Sequence, residues 1–351
     1  MQKIIVPFLI SFIISLLFTP VAIKLAPVLG FMDIPKDNRR MHKKPMPLAG
    51  GTAIYLGVII CLLIFLRDKK DLFYLIASSS LILISGLIDD KVGLSPKMKI
   101  LFQISAAIIL VLGGSRIEFF TNFLKGSFLS HMENVIWLEY LSVPLTIFWI
   151  VGITNTVNLI DGLDGLAAGV SGICALSLMF IALKMDLITV ALLSAIVAGG
   201  ALGFLPYNFN PAKIFMGDTG ALFLGFMLSY ISVQGVMKYA TALTIFVPVL
   251  VLGVPVFDTT FAMIRRFLSG KKISEADKGH LHHRLLALGL SQRQTVLILY
   301  TISIIFGVLA NVISDFDPII GIISSVIIIL FIFVLAYAKG MFKNKEEKWK
   351  F

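Results

Sequence analysis

The chain is poor in the residues that would make it a soluble or cross-linked protein. Only two cysteines, Cys61 and Cys174, occur among 351 residues, and both lie inside apolar runs. That excludes a disulfide framework and a cysteine-based metal site. Charged residues make up 14% and hydrophobic residues 58%, against roughly 25% and 45–50% in soluble domains, and no segment is polar enough to form a soluble domain of its own. Low-complexity stretches and internal repeats are missing. The basic residues form no module interleaved with aromatics, which argues against nucleic acid as a partner. No small-residue cleavage site follows the long first apolar run, so this run is expected to remain as an anchor rather than be removed as a signal peptide.

The chain is rich instead in apolar runs near the roughly 20 residues that cross a bilayer. Eleven spans are expected, near 4–26, 49–66, 72–88, 99–114, 141–157, 166–183, 187–206, 217–236, 240–263, 293–312 and 318–338. The expected fold is an all-α polytopic membrane protein, one integral-membrane domain over 1–351 with a basic tail at 338–351.

Basic residues are shared unequally between the two sets of loops. One set holds Lys36, Arg39, Arg40, Lys43 and Lys44, then Lys91, Lys97 and Lys99, then Lys213. It continues with Arg265, Arg266, Lys271, Lys272, Lys278, Arg284 and Arg293, and with the lysines of the tail. The other set holds Lys3, Arg67, Lys69, Lys70, Arg116, Lys125, Lys184 and Lys238. The richer side is expected to be cytoplasmic, with the N-terminus outside, the C-terminus inside and the protein in the cytoplasmic (inner) membrane. A net charge of +10 serves this topology and attraction to anionic lipid heads.

The polar clusters all fall on that side. The first is Asn155-Thr156-Val157-Asn158-Leu159-Ile160-Asp161-Gly162-Leu163-Asp164-Gly165, between two apolar runs. Such side chains are costly at a membrane boundary unless something binds them, and in a helical turn Asp161 and Asp164 share a face. Taken alone, the stretch has a second, weaker reading as a polar loop of helix caps. Asp89 and Asp90 end an apolar span, where they repel each other and oppose the helix dipole; Lys97 and Lys99 can neutralise them or hold a phosphate. Asn208 opens a loop that runs through Phe215-Met216-Gly217-Asp218, where Asp218 is either a helix cap or a ligand. Asp258, inside an apolar stretch, needs a partner such as Arg265, Arg266 or a lysine of the following loop. His280, His282 and His283 precede Arg284. Without cysteine or an H-E-x-x-H pattern they suit a diphosphate better than zinc. The segment 285–290 has an amphipathic pattern suited to the membrane surface. Carboxylates with nearby cations are what metal-assisted phosphoryl transfer requires. Ion-coupled transport, the competing class, places its charges near the midplane in related halves, a pattern missing here.

Asp89-Asp90, Asn158-x-x-Asp161-Gly162-x-Asp164-Gly165, Phe215-Met216-Gly217-Asp218 and His280-Leu281-His282-His283, in this order, resemble the polyprenyl-phosphate N-acetylhexosamine-1-phosphate transferases of the glycosyltransferase 4 superfamily. The resemblance implies transfer of a sugar 1-phosphate from a UDP-sugar to undecaprenyl phosphate with release of UMP, dependent on Mg²⁺ or Mn²⁺, within the lipid bilayer. It implies that Asp218 binds the metal beside Asn158 and that Asp89, with its neighbour Asp90, handles the lipid phosphate. Asn158, Asp161 and Asp164 would meet the nucleotide diphosphate, with Asp164 and Phe215 near the uracil and Asn208 and Lys99 as further contacts. His280, His282, His283 and Arg284 would form a loop near the sugar and phosphates, and Lys44 is a further contact. Gly279 before the histidines and Leu281 between them resemble the branch that uses UDP-N-acetylglucosamine and starts teichoic acid, O-antigen or related glycans. The phospho-N-acetylmuramoyl-pentapeptide transferases have an uninterrupted histidine run instead. The oligomeric state stays open, a homodimer included.

Overall fold

The computed structural model describes residues 2–35, 44–69, 71–121, 135–235, 246–270, 279–316 and 318–338. Helix α1 (Gln2–Leu29) leads into strand β1 (Met32–Asp33), which pairs antiparallel with β2 (Met46–Pro47). Helices α2 (Gly50–Phe65), α3 (Leu72–Val92) and α4 (Pro96–Leu112) follow. A second antiparallel ribbon, β3 (Phe119–Thr121) with β4 (Val135–Trp137), precedes α5 (Ser142–Ile160). The chain continues through α6 (Leu166–Lys184), α7 (Ile188–Asn208), α8 (Gly217–Gln234), α9 (Phe246–Val251) and α10 (Gly253–Leu268). It closes with α11 (Leu281–Ala287), α12 (Gln292–Ile313) and α13 (Pro318–Ala338). Among the described residues the fold is helical apart from the two ribbons. Seven helical segments among the described residues, in α1, α3, α5, α6, α7, α12 and α13, are long and apolar enough to cross a membrane. In hydrocarbon the backbone must satisfy its own hydrogen bonds, which is why such runs become helices.

Helix α8 is the centre of the bundle. It is buried from Thr219 to Val233, as a helix apolar on every side must be, and α2, α3, α5, α6 and α7 pack around it. The approach of α3 depends on Gly86, where a Cβ would run into the backbone of Thr219. Helix α1 lies on α7, tied by Ser11 Oγ donating to the Ile196 carbonyl at 2.7 Å. The outer faces carry exposed Leu9 and Leu17 on α1, Ile304 and Val308 on α12, and Leu330 and Phe331 on α13, an extent of apolar surface suited to lipid contact.

Several expectations change. The span expected at 240–263 is not one helix: the described part breaks at Leu252 into α9 and α10, and residues 240–245 lie outside the described residues. Pro255 explains the break. It has no N–H to offer the Val251 carbonyl four residues back, and Cys174 Sγ takes that place, donating to Val251 O at 3.1 Å. The fifth helix runs on to Ile160, past the expected 157, so Asn158, like Asn155, is a helical residue. Asn155 is spent on a reciprocal amide pair with Gln103 of α4, at 2.5 and 3.3 Å. The amphipathic segment expected at 285–290 is the helix α11, four residues earlier in its start. Lys36, Arg39, Arg40, Lys43, Lys70, Lys125, Lys238, Lys271, Lys272, Lys278 and the tail from 339 lie outside the described residues.

Candidate active site

Chain reversals at one end of the bundle enclose a cavity of about 1010 Å³, the size of a small-molecule site. Its walls come from the C-terminal ends of α3, α5 and α7, the N-terminal ends of α8, α11 and α12, and the β1–β2 ribbon. Of the residues singled out by sequence, Asp89, Asp90, Asn158, Asp161, Asp164, Asn208, Phe215, Asp218 and His283 line it. Lys44 is exposed and outside the lining, and Lys99, His280, His282 and Arg284 stand behind it.

The acidic floor is built where α3 meets the start of α8. Adjacent carboxylates on α3 avoid each other by facing different partners. Asp90 turns to α8: its Oδ1 accepts the Asp218 N–H at 2.8 Å, and its Oδ2 accepts the Thr219 N–H at 3.1 Å and the Thr219 hydroxyl at 2.5 Å. A carboxylate is favourable at a helix N-terminus, where amides lack helical partners. Gly217, at φ +70° and directly against Asp90, allows the entry turn. Asp89 accepts the Leu94 N–H at 2.6 Å and pairs with Lys99. The Lys99 Nζ is 2.6 Å from Asp89 Oδ2 and 2.6 Å from Asp218 Oδ2. Asn158 Nδ2 donates to that same Asp218 oxygen at 3.3 Å.

Oxygens of Asp89, Asp90 and Asp218 lie within 4.8 Å of one another. Such a set of hard oxygen donors suits Mg²⁺ or Mn²⁺ rather than a thiolate- or imidazole-bound metal. The Lys99 ammonium between two of the carboxylates already marks the place as one that takes positive charge.

Asp161 ends α5 and Gly165 starts α6 in the left-handed conformation, φ +80°. The turn between them is held from two sides. Asn208 Oδ1 accepts the Gly165 N–H at 3.0 Å while its Nδ2 donates to Ile214 O at 2.9 Å, and the Tyr300 hydroxyl donates to Gly165 O at 2.5 Å. Asp164 Oδ2 accepts from Asn210 Nδ2 at 2.9 Å and from the Ala212 N–H at 3.1 Å. Asp161 and Asp164 therefore do not share a helix face: Asp164 binds the neighbouring loop and Asp161 faces the acidic floor. Burial, and then the charges of Asp218, Asp90 and Asp164, push the Asp161 carboxyl up to about 8.

The histidines spread over different partners. The carboxylate of Asp258 on α10 takes His280 Nδ1 at 2.9 Å and the Leu281 N–H at 2.6 Å; among the bonds the structure gives it, these replace the Arg or Lys partner expected from the sequence. His282 is buried against the 161–165 turn, so close that a Cβ on Gly162 would stand 2.6 Å from its Nε2. Burial, followed by His283, lowers His282 to about 4 despite the pull of Asp258. Arg284 Nε donates to Gly279 O at 2.9 Å. His283 alone of the three lines the cavity.

Sequence reasoning passed over Thr219, Asn210, Gln292 and Tyr300. The signal for Asn210 was present, as a polar residue next to Pro211 in a loop already of interest. Gln292, which accepts from Asn210 Nδ2 at 2.7 Å, and Tyr300 come from α12, and no local pattern ties them to this loop.

The glycosyl transferase family 4 sequence profile matches residues 72–236. A protein of Bacillus subtilis (strain 168), described as a probable undecaprenyl-phosphate N-acetylglucosaminyl 1-phosphate transferase, is 42% identical over 346 residues, 98% of this chain and 94% of the relative. The chain belongs to glycosyl transferase family 4. Two further relatives belong to other named activities. A decaprenyl-phosphate N-acetylglucosaminephosphotransferase of Mycolicibacterium smegmatis is 34% identical over 82% of this chain and 77% of its own length. A phospho-N-acetylmuramoyl-pentapeptide-transferase of Staphylococcus saprophyticus is 31% identical over 86% and 96%. This family 4 chain is thus a multi-span membrane transferase, and the profile match contains Asp89, Asp90, Asn158, Asp161, Asp164, Asn208, Phe215 and Asp218.

Proposed function

We propose that this transferase moves N-acetylglucosamine 1-phosphate from UDP-N-acetylglucosamine to undecaprenyl phosphate, releasing UMP, as a first membrane step of a cell-envelope glycan. The observation that carries this is the convergence of Asp89, Asp218 and Asn158 at the floor of one polar cavity at the end of an apolar bundle, with Lys99 behind them paired to both carboxylates. The name of the 42% identical relative, and the Gly279 and Leu281 that bracket and interrupt the histidines, favour N-acetylglucosamine over a muramoyl-pentapeptide donor.

The cavity is proposed to face the cytoplasm. Counting α9 with α10 as one span gives eleven crossings, and successive reversals then place every cavity-lining helix end on one side. That is the side carrying most of the basic residues.

A divalent ion held by Asp218 and Asp89, with Asn158 beside them, would spread the charge of the diphosphate. Asp89 positions the lipid phosphate, whose oxygen attacks the sugar-proximal phosphorus; the bond from that phosphorus to the bridging oxygen breaks and UMP leaves with it. Lys99 meets the diphosphate. Asp161 and His283 face the donor from the opposite wall, and Phe215 offers a ring to the uracil. Asp90, Asp164 and Asn208 hold the loops that carry these groups, and Asp258 with His280 sets α11 in place. His282 supports the Asp161 turn, while Arg284 and Lys44 lie outside the cavity lining.

The test is the lipid product. Purified full-length protein given undecaprenyl phosphate, UDP-N-acetylglucosamine and Mg²⁺ should yield, by mass spectrometry, the lipid diphosphate bearing one N-acetylhexosamine. An Asp89→Asn variant with undiminished turnover would remove Asp89 from the reaction, and no lipid product from folded wild-type protein would overturn the assignment.

A further inference from the structure

We infer that Lys99 is a built-in counter-ion that competes with the divalent ion for Asp89 and Asp218, so that metal and nucleotide sugar bind cooperatively. The inference rests on the reading of this site as one for a metal and a nucleotide diphosphate.

Lys99 is in the first turn of α4, whose start is fixed by the Ser95 cap and Pro96. A lysine there sits at the wrong end of the helix dipole, so local preference does not explain it. Its ammonium contacts Oδ2 of both Asp89 and Asp218. These are two of the three carboxylates that could hold a metal. The Asp218 oxygen also receives the Asn158 amide, so both donors aim at an atom that a metal would need. A cation of one charge and a cation of two charges then draw on the same oxygens. With the lysine in place, part of the negative charge that attracts the ion is already neutralised.

The lysine is able to leave. Its side chain is 24% exposed, and it is a point charge on a flexible stem. The cavity provides a reason to leave only when an anion enters. A nucleotide diphosphate gives Lys99 a new partner, and the carboxylates are released for the metal. Since coupling between two ligands is reciprocal, the metal tightens nucleotide binding by the same factor.

The experiment is Mn²⁺ binding followed by EPR on the full chain in detergent, with and without UDP-N-acetylglucosamine and without the lipid acceptor. Wild type, Lys99→Met and Asp218→Asn are compared, with Lys99→Gln as a second replacement should the methionine variant not fold. Without nucleotide, the Lys99 variant should bind Mn²⁺ at least about tenfold more tightly than wild type, the range of ordinary coupling energies. Nucleotide should tighten Mn²⁺ binding to wild type by about as much, and by clearly less in the Lys99 variant, where only the metal's own attraction to the diphosphate remains. Equal or weaker Mn²⁺ binding by the Lys99 variants, or a wild type indifferent to nucleotide, overturns the inference while metal-dependent transfer would still stand. Mn²⁺ binding that Asp218→Asn does not weaken would overturn both the inference and the metal site beneath it.

Discussion

Asp90 and Asp218 are bound through the backbone of one and the side chain of the other: the Asp90 carboxylate accepts the Asp218 N–H at 2.8 Å. The end of α3 thereby caps the start of α8, and the carboxylate of Asp218 is left to face the cavity beside Lys99. This contact explains how two adjacent aspartates are tolerated at a helix C-terminus. One is used as a cap for another helix and the other is paired with a lysine.

Replacing Asp90 should therefore act through Asp218. Asp90→Ala removes the acceptor of three donors at the head of α8, and loss of such a cap costs about 1–2 kcal/mol. A lower midpoint of thermal unfolding in detergent and a reduced turnover are expected together. Asp90→Asn keeps one carbonyl acceptor and should fall between. An Asp90→Ala protein with wild-type midpoint and turnover would show that the cap does not position Asp218.

His282 gives the fold a dependence on acid. Its folded value, near 4, lies below the ordinary value near 6.5. Between these two values the unfolded chain binds a proton that the folded chain excludes. Stability from this group is complete above about pH 6.5 and is lost as pH falls toward 4, by up to about 3 kcal/mol. His282→Gln should flatten the fall in unfolding midpoint between pH 6.5 and 4.5 relative to wild type. Parallel curves for the two proteins would contradict the burial of a neutral imidazole.

Asp258 is expected to matter although it lies outside the cavity lining. It orients His280 and caps α11, which carries His283 into the cavity. Asp258→Ala should leave a buried imidazole and a helix amide unpartnered, lower turnover several-fold, and raise the KM for the UDP-sugar. Asp258→Asn should recover part of the loss because its amide oxygen still accepts one bond. A rise in the KM for the lipid alone, with the UDP-sugar unaffected, would point to a different role for α11.

The proposed orientation can be read from labelling. Cys61 and Cys174 are both buried, and Lys44 is exposed near the cavity end of the bundle. In sealed vesicles of the cytoplasmic membrane, Lys44→Cys should react with an impermeant maleimide only in inside-out preparations. Labelling of right-side-out vesicles would invert the topology.

Hydropathy was enough to place α1 to α8, because a span in hydrocarbon has few alternatives to a helix. It could not see the break at Leu252: proline is tolerated inside membrane helices, and the group that replaces the missing N–H, the Cys174 thiol, is far away in sequence. The acidic motifs pointed to one cavity because each sits at a helix end on the same side. The histidines were harder. Their closeness in sequence suggested a shared site, but successive residues of a helix start turn by about 100°, so His280, His282 and His283 meet Asp258, Gly162 and the cavity respectively. Asn208 and Asp164 were singled out as polar residues and line the cavity, yet their bonds go to Gly165, Ile214, Asn210 and Ala212, which only the folded chain brings within reach.

UMP release reports the transfer reaction itself. Purified protein with undecaprenyl phosphate and Mg²⁺ is given UDP-N-acetylglucosamine in one reaction and UDP-N-acetylmuramoyl-pentapeptide in another, each with and without lipid and with and without EDTA. UMP is predicted only from UDP-N-acetylglucosamine, and only with both lipid and metal present. UMP from the pentapeptide donor alone would contradict the choice of sugar, and the absence of UMP from both in folded protein would contradict the transfer.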